Sequence, residues 1–196
     1  MGMNIPGYDS VAAVLENGVA QALDHLRTQG YSRIGYFAPS LMLNRRGDPR
    51  DEIYRGKMAE WGLPERIISY EGTAFDVAAA RAAAEALADS MAQMPTDERP
   101  DALFCFNDMN AFGAMMGLRR KGLRIPEDMA LVGCDNLPLA MQLDVPLTTI
   151  DYPLEAVCQN AVRLLVGRIR ETHDSLPPEP RHMELLKTNL VVRESS

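Results

Sequence analysis

The chain has 196 residues, 46% hydrophobic and 24% charged, with a formal net charge of −7 and three cysteines; this excludes a disordered chain and leaves room for one large domain or two small ones. The acidic balance argues against a polypeptide that grips a phosphate backbone unaided. The isolated Cys105, Cys134 and Cys158 have no second Cys or His at metal-ligand spacing and read as buried free thiols.

In chain order, residues 10–15 are expected to form a strand, and from Glu16 the apolar spacing turns helical at Val19, Leu23 and Leu26, with Gly30 closing the helix. RIGYFA (33–38) reads as a buried strand, followed by a polar loop with Asn44, Arg45, Arg46 and Gly47. Asp48 is expected to cap a helix with Pro49 at its first position, carrying Tyr54, Met58 and Trp61 on one side and ending at Gly62. A strand at 66–70 follows, then Phe75 and Asp76 introduce an alanine-rich helix with Val77, Ala80, Ala84, Leu87 and Met91 on one stripe.

Residues 101–136 carry the densest signal. An apolar run ends at Asn107 and Asp108, a helical pattern runs to Gly122, and a second apolar run ends at Asp135 and Asn136. Met109, Phe112, Met115 and Met116 are expected on the buried side of that helix. Short continuous apolar runs are the mark of strands buried on both faces of a parallel sheet. Further on, a strand at 147–150 leads to a helix opened by Pro153 with the stripe Leu154, Val157, Ala161, Leu164 and Leu165. A proline-containing linker (173–181) precedes a final strand at 183–192. The alternation predicts an α/β fold with a doubly wound parallel, Rossmann-like sheet.

In such sheets ligands bind beyond the carboxyl ends of the strands, so Asn107, Asp108, Asp135 and Asn136 are read as the lip of a polar site. A carboxylate accepts from hydroxyls and an amide both donates and accepts, which suits a polyol or a base edge. The competing reading makes Asp108 or Asn107 a helix cap. Phe75 could stack on a ligand face or pack in the core. The run Arg119, Arg120, Lys121 and Arg124 sits at a helix C-terminus, where cations offset the macrodipole. Glycine-rich phosphate loops, a nucleophile elbow and a zinc-protease motif do not occur, and His25, His173 and His182 lack paired acids. Binding rather than catalysis is therefore expected, without a metal or other cofactor.

Three segments carry a family resemblance. FNDMNAFGAMMGLRRKGLRIPEDMALVGCDN, PLTTIDYPLEAVCQNAVRLLVGRI and LVVRESS, preceded in the same order by IPGYDSV, ENG and DHLRTQGYSRIGYF, closely resemble the effector-binding region of the LacI/GalR family of bacterial transcription regulators. The resemblance covers nearly the whole chain. It implies the fold of periplasmic sugar-binding proteins: two Rossmann-like subdomains, three crossovers and an effector in the cleft. By position it implies effector contacts from Asn107, Asp135 and Phe75, from Asn17, and from Tyr152 and Leu154 on a crossover. Two departures stand out. Where the family places an Arg five residues before Gly56, this chain has Asp51, with Arg50 displaced by one; and Val14 and Leu15 replace the usual Asp-Asn.

The resemblance further implies that the chain is mostly the C-terminal subdomain. Residues 1–31 would be a remnant of the N-terminal subdomain, 32–150 the effector-binding subdomain, 151–175 an N-subdomain helix and 182–196 the returning strand and tail. The helix-turn-helix of a full member is absent from the sequence, so operator DNA would be contacted only through a domain outside it. A homodimer, a sugar-like effector and weak affinity from a half-site are expected. The start MGMNIPGYDS lacks the features of a secretory leader and no run approaches ~18 apolar residues, so a cytoplasmic location without membrane contact is expected. The alternatives are a periplasmic sugar-binding protein of a transport system and, third, an enzyme on the same scaffold.

Overall fold

Period-2 alternation along two central strands organises the molecule. The computed structural model describes residues 8–43, 48–173 and 182–196; the expected polar loop 44–47 and most of the linker lie outside them. The elements are β1 (Ser10–Val14), α1 (Leu15–Thr28), β2 (Ile34–Pro39), α2 (Arg50–Glu60), β3 (Ile67–Tyr70), α3 (Val77–Met91), β4 (Ala102–Cys105), α4 (Asp108–Arg120), β5 (Ala130–Asp135), β6 (Thr148–Asp151), α5 (Leu154–His173), β7 (Met183–Lys187) and β8 (Asn189–Val191). Successive strand side chains point to opposite faces. Ile34, Tyr36 and Ala38 accordingly join Phe104, Val132 and the α1 and α2 side chains in one core, while Phe37, Leu103 and Leu131 join α3 and α4 in the other.

The main sheet has the order β3-β2-β4-β5-β6-β8. Its first five strands are parallel, as expected, but β8 pairs antiparallel with β6, so the sheet is mixed. The final strand expected at 183–192 is in fact two. It breaks at Thr188, with β7 pairing parallel to β1 in a separate two-stranded sheet and β8 joining the main one.

Helix α1, within the stretch read as a remnant of the N-terminal subdomain, buries Val19, Leu23 and Leu26 completely against the six-stranded sheet. Fully burying an aliphatic side chain contributes roughly 1.5–3 kcal/mol, so three such residues make α1 an integral layer. Gly30 and Gly62 follow α1 and α2 with φ of 98° and 65°, the left-handed turn at which glycine pays no Cβ penalty. Helix α2 starts one residue later than expected: Pro49 is its N-cap and the Asp48 carboxylate accepts from the Arg50 amide at 3.2 Å. Tyr54, fully buried on α2, stacks on Tyr36 with ring centroids 5.6 Å apart, and its hydroxyl donates to the Ile34 carbonyl at 2.9 Å.

Helix α4 departs in part from its expected buried face. Met115 is buried as expected, but Met116 is exposed and Met109 and Phe112 are half-buried, whereas Ala111, Gly113, Ala114 and Gly117 face inward. Smallness decides this face, because α4 packs tightly on α3: a Cβ added at Gly113 would stand 2.6 Å from the Ala80 Cβ, and one at Gly117 would stand 2.9 Å from the Ala84 Cβ.

Helix α5 packs on β1 and is tied to it by Arg168, whose Nε lies 2.7 Å from the Asp9 carboxylate. Its expected stripe is only partly covered: Val157 and Leu164 are half-buried, while Leu154, Ala161 and Leu165 are exposed. Among the described residues no helix is long and apolar enough to cross a membrane.

Candidate ligand-binding site

The carboxyl end of β5 carries two successive non-glycine residues with positive φ, Asp135 at 119° and Asn136 at 51°. Beyond it lies a cavity of about 130 Å³ lined by Leu15, Arg50, Asp135 and Tyr152. Three predicted site residues thus come together from three elements. Asp135 arrives at the end of β5, Arg50 opens α2, and Tyr152 follows the end of β6. Leu15 was not predicted as a contact. The signal for it was the departure already noted, an apolar residue where the family has a polar one.

Arg50 is 7% exposed and fixed by its surroundings. Its Nε donates to Asp48 at 2.9 Å, Nη1 donates to the Phe106 carbonyl, and the guanidinium carbon lies 3.8 Å from the Phe106 ring centroid. A planar guanidinium can satisfy a carboxylate, a carbonyl and an aromatic face at once. The displacement of the arginine by one position therefore does not remove it from the site.

Burial pushes the Asp135 carboxyl up to about 6; neighbouring Asp108 acts in the same direction and Arg50 opposes it. Asp108 is raised as well, mainly by burial, against the hydrogen bonds it accepts from the Thr149 hydroxyl at 2.5 Å and the Leu137 amide at 2.8 Å. Asp108 is 4% exposed and clasps the 135–137 turn from inside rather than forming its lip.

Asn107, expected to face the ligand, is 2% exposed with both ends of its amide committed. Its Oδ1 caps α4 by accepting from the Asn110 amide at 2.9 Å, and its Nδ2 donates to the Ala74 carbonyl at 2.9 Å. Asn110 Nδ2 donates to the same carbonyl at 3.1 Å. The pair therefore anchors the residue before Phe75, whose ring is 74% exposed. Asn17 and Leu154 are also exposed. The Asn17 side chain donates to the Thr188 carbonyl at 3.0 Å, at the passage between β7 and β8.

Chemically, an acceptor (Asp135) and a donor (Arg50) share a small cavity with an aromatic and an aliphatic wall. This suits a compact ligand that offers hydroxyl or N–H donors to the carboxylate and an oxygen or nitrogen acceptor to the guanidinium. Among the described residues no cluster of His, Cys, Asp and Glu could hold a metal ion.

A mostly parallel sheet with a polar cavity at its strand ends, beside a second small sheet reached by repeated crossings, is the layout of a periplasmic-binding-protein-like ligand-binding domain. Residues 23–196 match the model of the periplasmic binding protein-like domain family. The chain is 34% identical over 175 residues to the HTH-type transcriptional repressor PurR of Aliivibrio salmonicida, covering 88% of this chain and 50% of that protein. It is 42% identical over 95 residues to PurR of Vibrio cholerae (strain M66-2), covering 48% and 28%. Among solved structures, a LacI family transcriptional regulator from Arthrobacter sp. FB24 in complex with lactose superposes with a TM-score of 0.80 at 28% identity, over 99% of this chain and 68% of that one. The chain belongs to the periplasmic binding protein-like domain family, as an effector-binding domain of the LacI/GalR type. It spans half or less of the length of these curated relatives.

Proposed function

We propose that the chain is the effector-binding and dimerising portion of a cytoplasmic DNA-binding transcription regulator that senses a sugar or related small molecule. The convergence of Arg50, Asp135 and Tyr152 on one cavity carries the reading. In it, Asp135 accepts from effector hydroxyl or N–H groups, Arg50 donates to an effector oxygen, and Tyr152 supplies an aromatic wall. Phe75, held by Asn107 through Ala74, contributes a second aromatic face; Asn17 and Leu154 contact the effector from the crossovers.

The cavity volume supports a shared site. Small-molecule pockets hold about 300–1,000 Å³, so the rest of the wall comes from a facing subdomain. Effector binding between the lobes then selects one lobe geometry and so the spacing of two DNA-reading heads, which lie in a segment outside this sequence. Dimerisation is assigned to the apolar groove of about 360 Å³ lined by Phe112, Met115, Met116, Leu139 and Leu143. Arg119 and Asp144, paired at 2.8 Å, also line this groove, and a two-fold related copy would meet them with the same pair of opposite charges. The relatives' names as repressors favour a regulator over a transport-linked binding protein of the same fold, and no enzymatic step or cofactor is invoked.

The test is a thermal-shift screen of the full-length gene product with lactose, cellobiose and nucleobases, followed by calorimetry on hits. A hit whose affinity falls at least tenfold in Asp135→Asn supports the site. A hit with unchanged affinity in that variant refutes it.

A further inference from the structure

The turn that delivers Asp135 is held from behind. Asn136, at φ 51°, lies in the left-handed region that asparagine adopts readily, whereas Asp135, at 119°, lies well outside it and is held there by its surroundings. Asp108 supplies one clasp, accepting from the Thr149 hydroxyl and the Leu137 amide. The second clasp lies on the other side and is built on Asn136. Its Nδ2 donates to Asp151 at 2.8 Å, and its Oδ1 accepts from Arg193 Nη2 at 2.6 Å.

Arg193 is itself fixed before it reaches Asn136. Its Nη1 donates to the Leu147 carbonyl at 2.6 Å and its backbone amide donates to the Thr148 hydroxyl at 2.9 Å. A planar guanidinium serves two acceptors at a set spacing, which a lysine ammonium cannot reproduce. Asp151, the other partner of Asn136, immediately precedes Tyr152. One amide therefore joins the two strand ends that carry Asp135 and Tyr152, two of the four residues lining the cavity.

We infer that Arg193 is a positioning residue for this site: it touches no effector, and through Asn136 it holds Asp135 and Tyr152 in the geometry in which they line the cavity. The inference rests on the reading of that cavity as the effector site. The competing role, a staple of β8 to β6, is already served by the Arg193 backbone amide and by Ser195, whose hydroxyl accepts from the Thr148 amide at 2.8 Å and donates to the Leu131 carbonyl at 2.6 Å.

The test follows the Asp135 carboxyl carbon by NMR during a pH titration of this chain, with no ligand added. The wild-type midpoint is expected near about 6, set by burial and Asp108 against Arg50. In Arg193→Gln the turn relaxes toward solvent and the carboxyl's proton affinity falls at least tenfold. Asn136→Gly, which tolerates the positive φ but lacks the amide, gives the same fall. Arg193→Lys, whose ammonium cannot serve Leu147 and Asn136 at once, shifts in the same direction as Arg193→Gln. A staple alone would lower the urea midpoint of Arg193→Gln and leave the Asp135 titration unmoved in both variants, and that result overturns the inference. If Arg193→Gln does not fold, Asn136→Gly decides by the same measure. A sugar screen that finds nothing counts against the site and not against the clasp; an unmoved titration counts against the clasp and not against the site.

Discussion

Asp135→Asn should make the protein more stable at neutral pH while removing its effector contact. On folding, burial carries the carboxyl from its ordinary 3.8 to about 6, so the folded state favours the protonated form. The group's favourable contribution is complete below the unfolded value and is lost as pH rises through the folded one. At about 1.4 kcal/mol per tenfold change in proton affinity, the ionised carboxylate weakens the fold by ~1 kcal/mol at about pH 4.5 and by up to ~3 kcal/mol at about pH 7.5. Asparagine keeps the shape, tolerates positive φ and carries no charge to desolvate. Urea unfolding followed by circular dichroism should therefore show a stabilisation that grows by roughly 2 kcal/mol between the two pH values. An equal effect at both, or a destabilisation at the higher pH, would refute the reasoning. The gain would place Asp135 among residues kept for binding at the expense of stability.

Other positions give sharper local outcomes. Gly18→Ala improves helix propensity by up to about 1 kcal/mol, yet its Cβ would stand 2.6 Å from the Thr188 hydroxyl; overpacking of about 1–3 kcal/mol wins, and the melting temperature falls. Asn107→Ala removes the α4 cap, worth about 1 kcal/mol, and one of the two donors to Ala74, so amide exchange at residues 74–76 should accelerate; unchanged exchange there would show that Asn107 does not order Phe75. Met116→Glu combined with Leu139→Glu, both exposed positions lining the groove, should convert a dimer to a monomer in light scattering without moving the urea midpoint. A dimer that survives both charges lies on another face.

Local signals made much of this fold legible. The strands announced themselves as apolar runs, Gly30 and Gly62 marked helix ends, and Asp76, read as introducing α3, proves to be its N-cap, accepting from the Ala79 amide at 2.9 Å. Asp135 could be nominated because strand end and family position converge on it, Tyr152 from the resemblance alone, and Arg50 only as the arginine displaced by one from the family's position. What stayed hidden depended on partners distant in sequence. The inward face of α4 was read correctly at Met115 and misread at Met109, Phe112 and Met116, because apolar size points to the large side chains while close approach to α3 selects glycine and alanine. The break at Thr188 has no periodicity signal, since both halves read as strand. The terminal RESS looks like a solvated tail, yet Ser195 is fully buried, with hydrogen bonds to residues 47 and 64 positions away.

Thr188 ties the two sheets at the point where the chain passes from one to the other. Its hydroxyl donates to the Val14 carbonyl at 2.8 Å and accepts from the Gly18 amide at 3.1 Å, and the next residue, Asn189, pairs with Asp151. The chain therefore passes between the two sheets at three adjacent points, near Val14, Asp151 and Thr188. A body tethered to another by one strand keeps nearly every rotational freedom, whereas three clustered tethers suppress sliding and independent twist. What survives is a bend about a line through the cluster, a single soft coordinate. Along such a coordinate, small changes on either side of the tethers become large, directed displacements at the far rims of the two bodies.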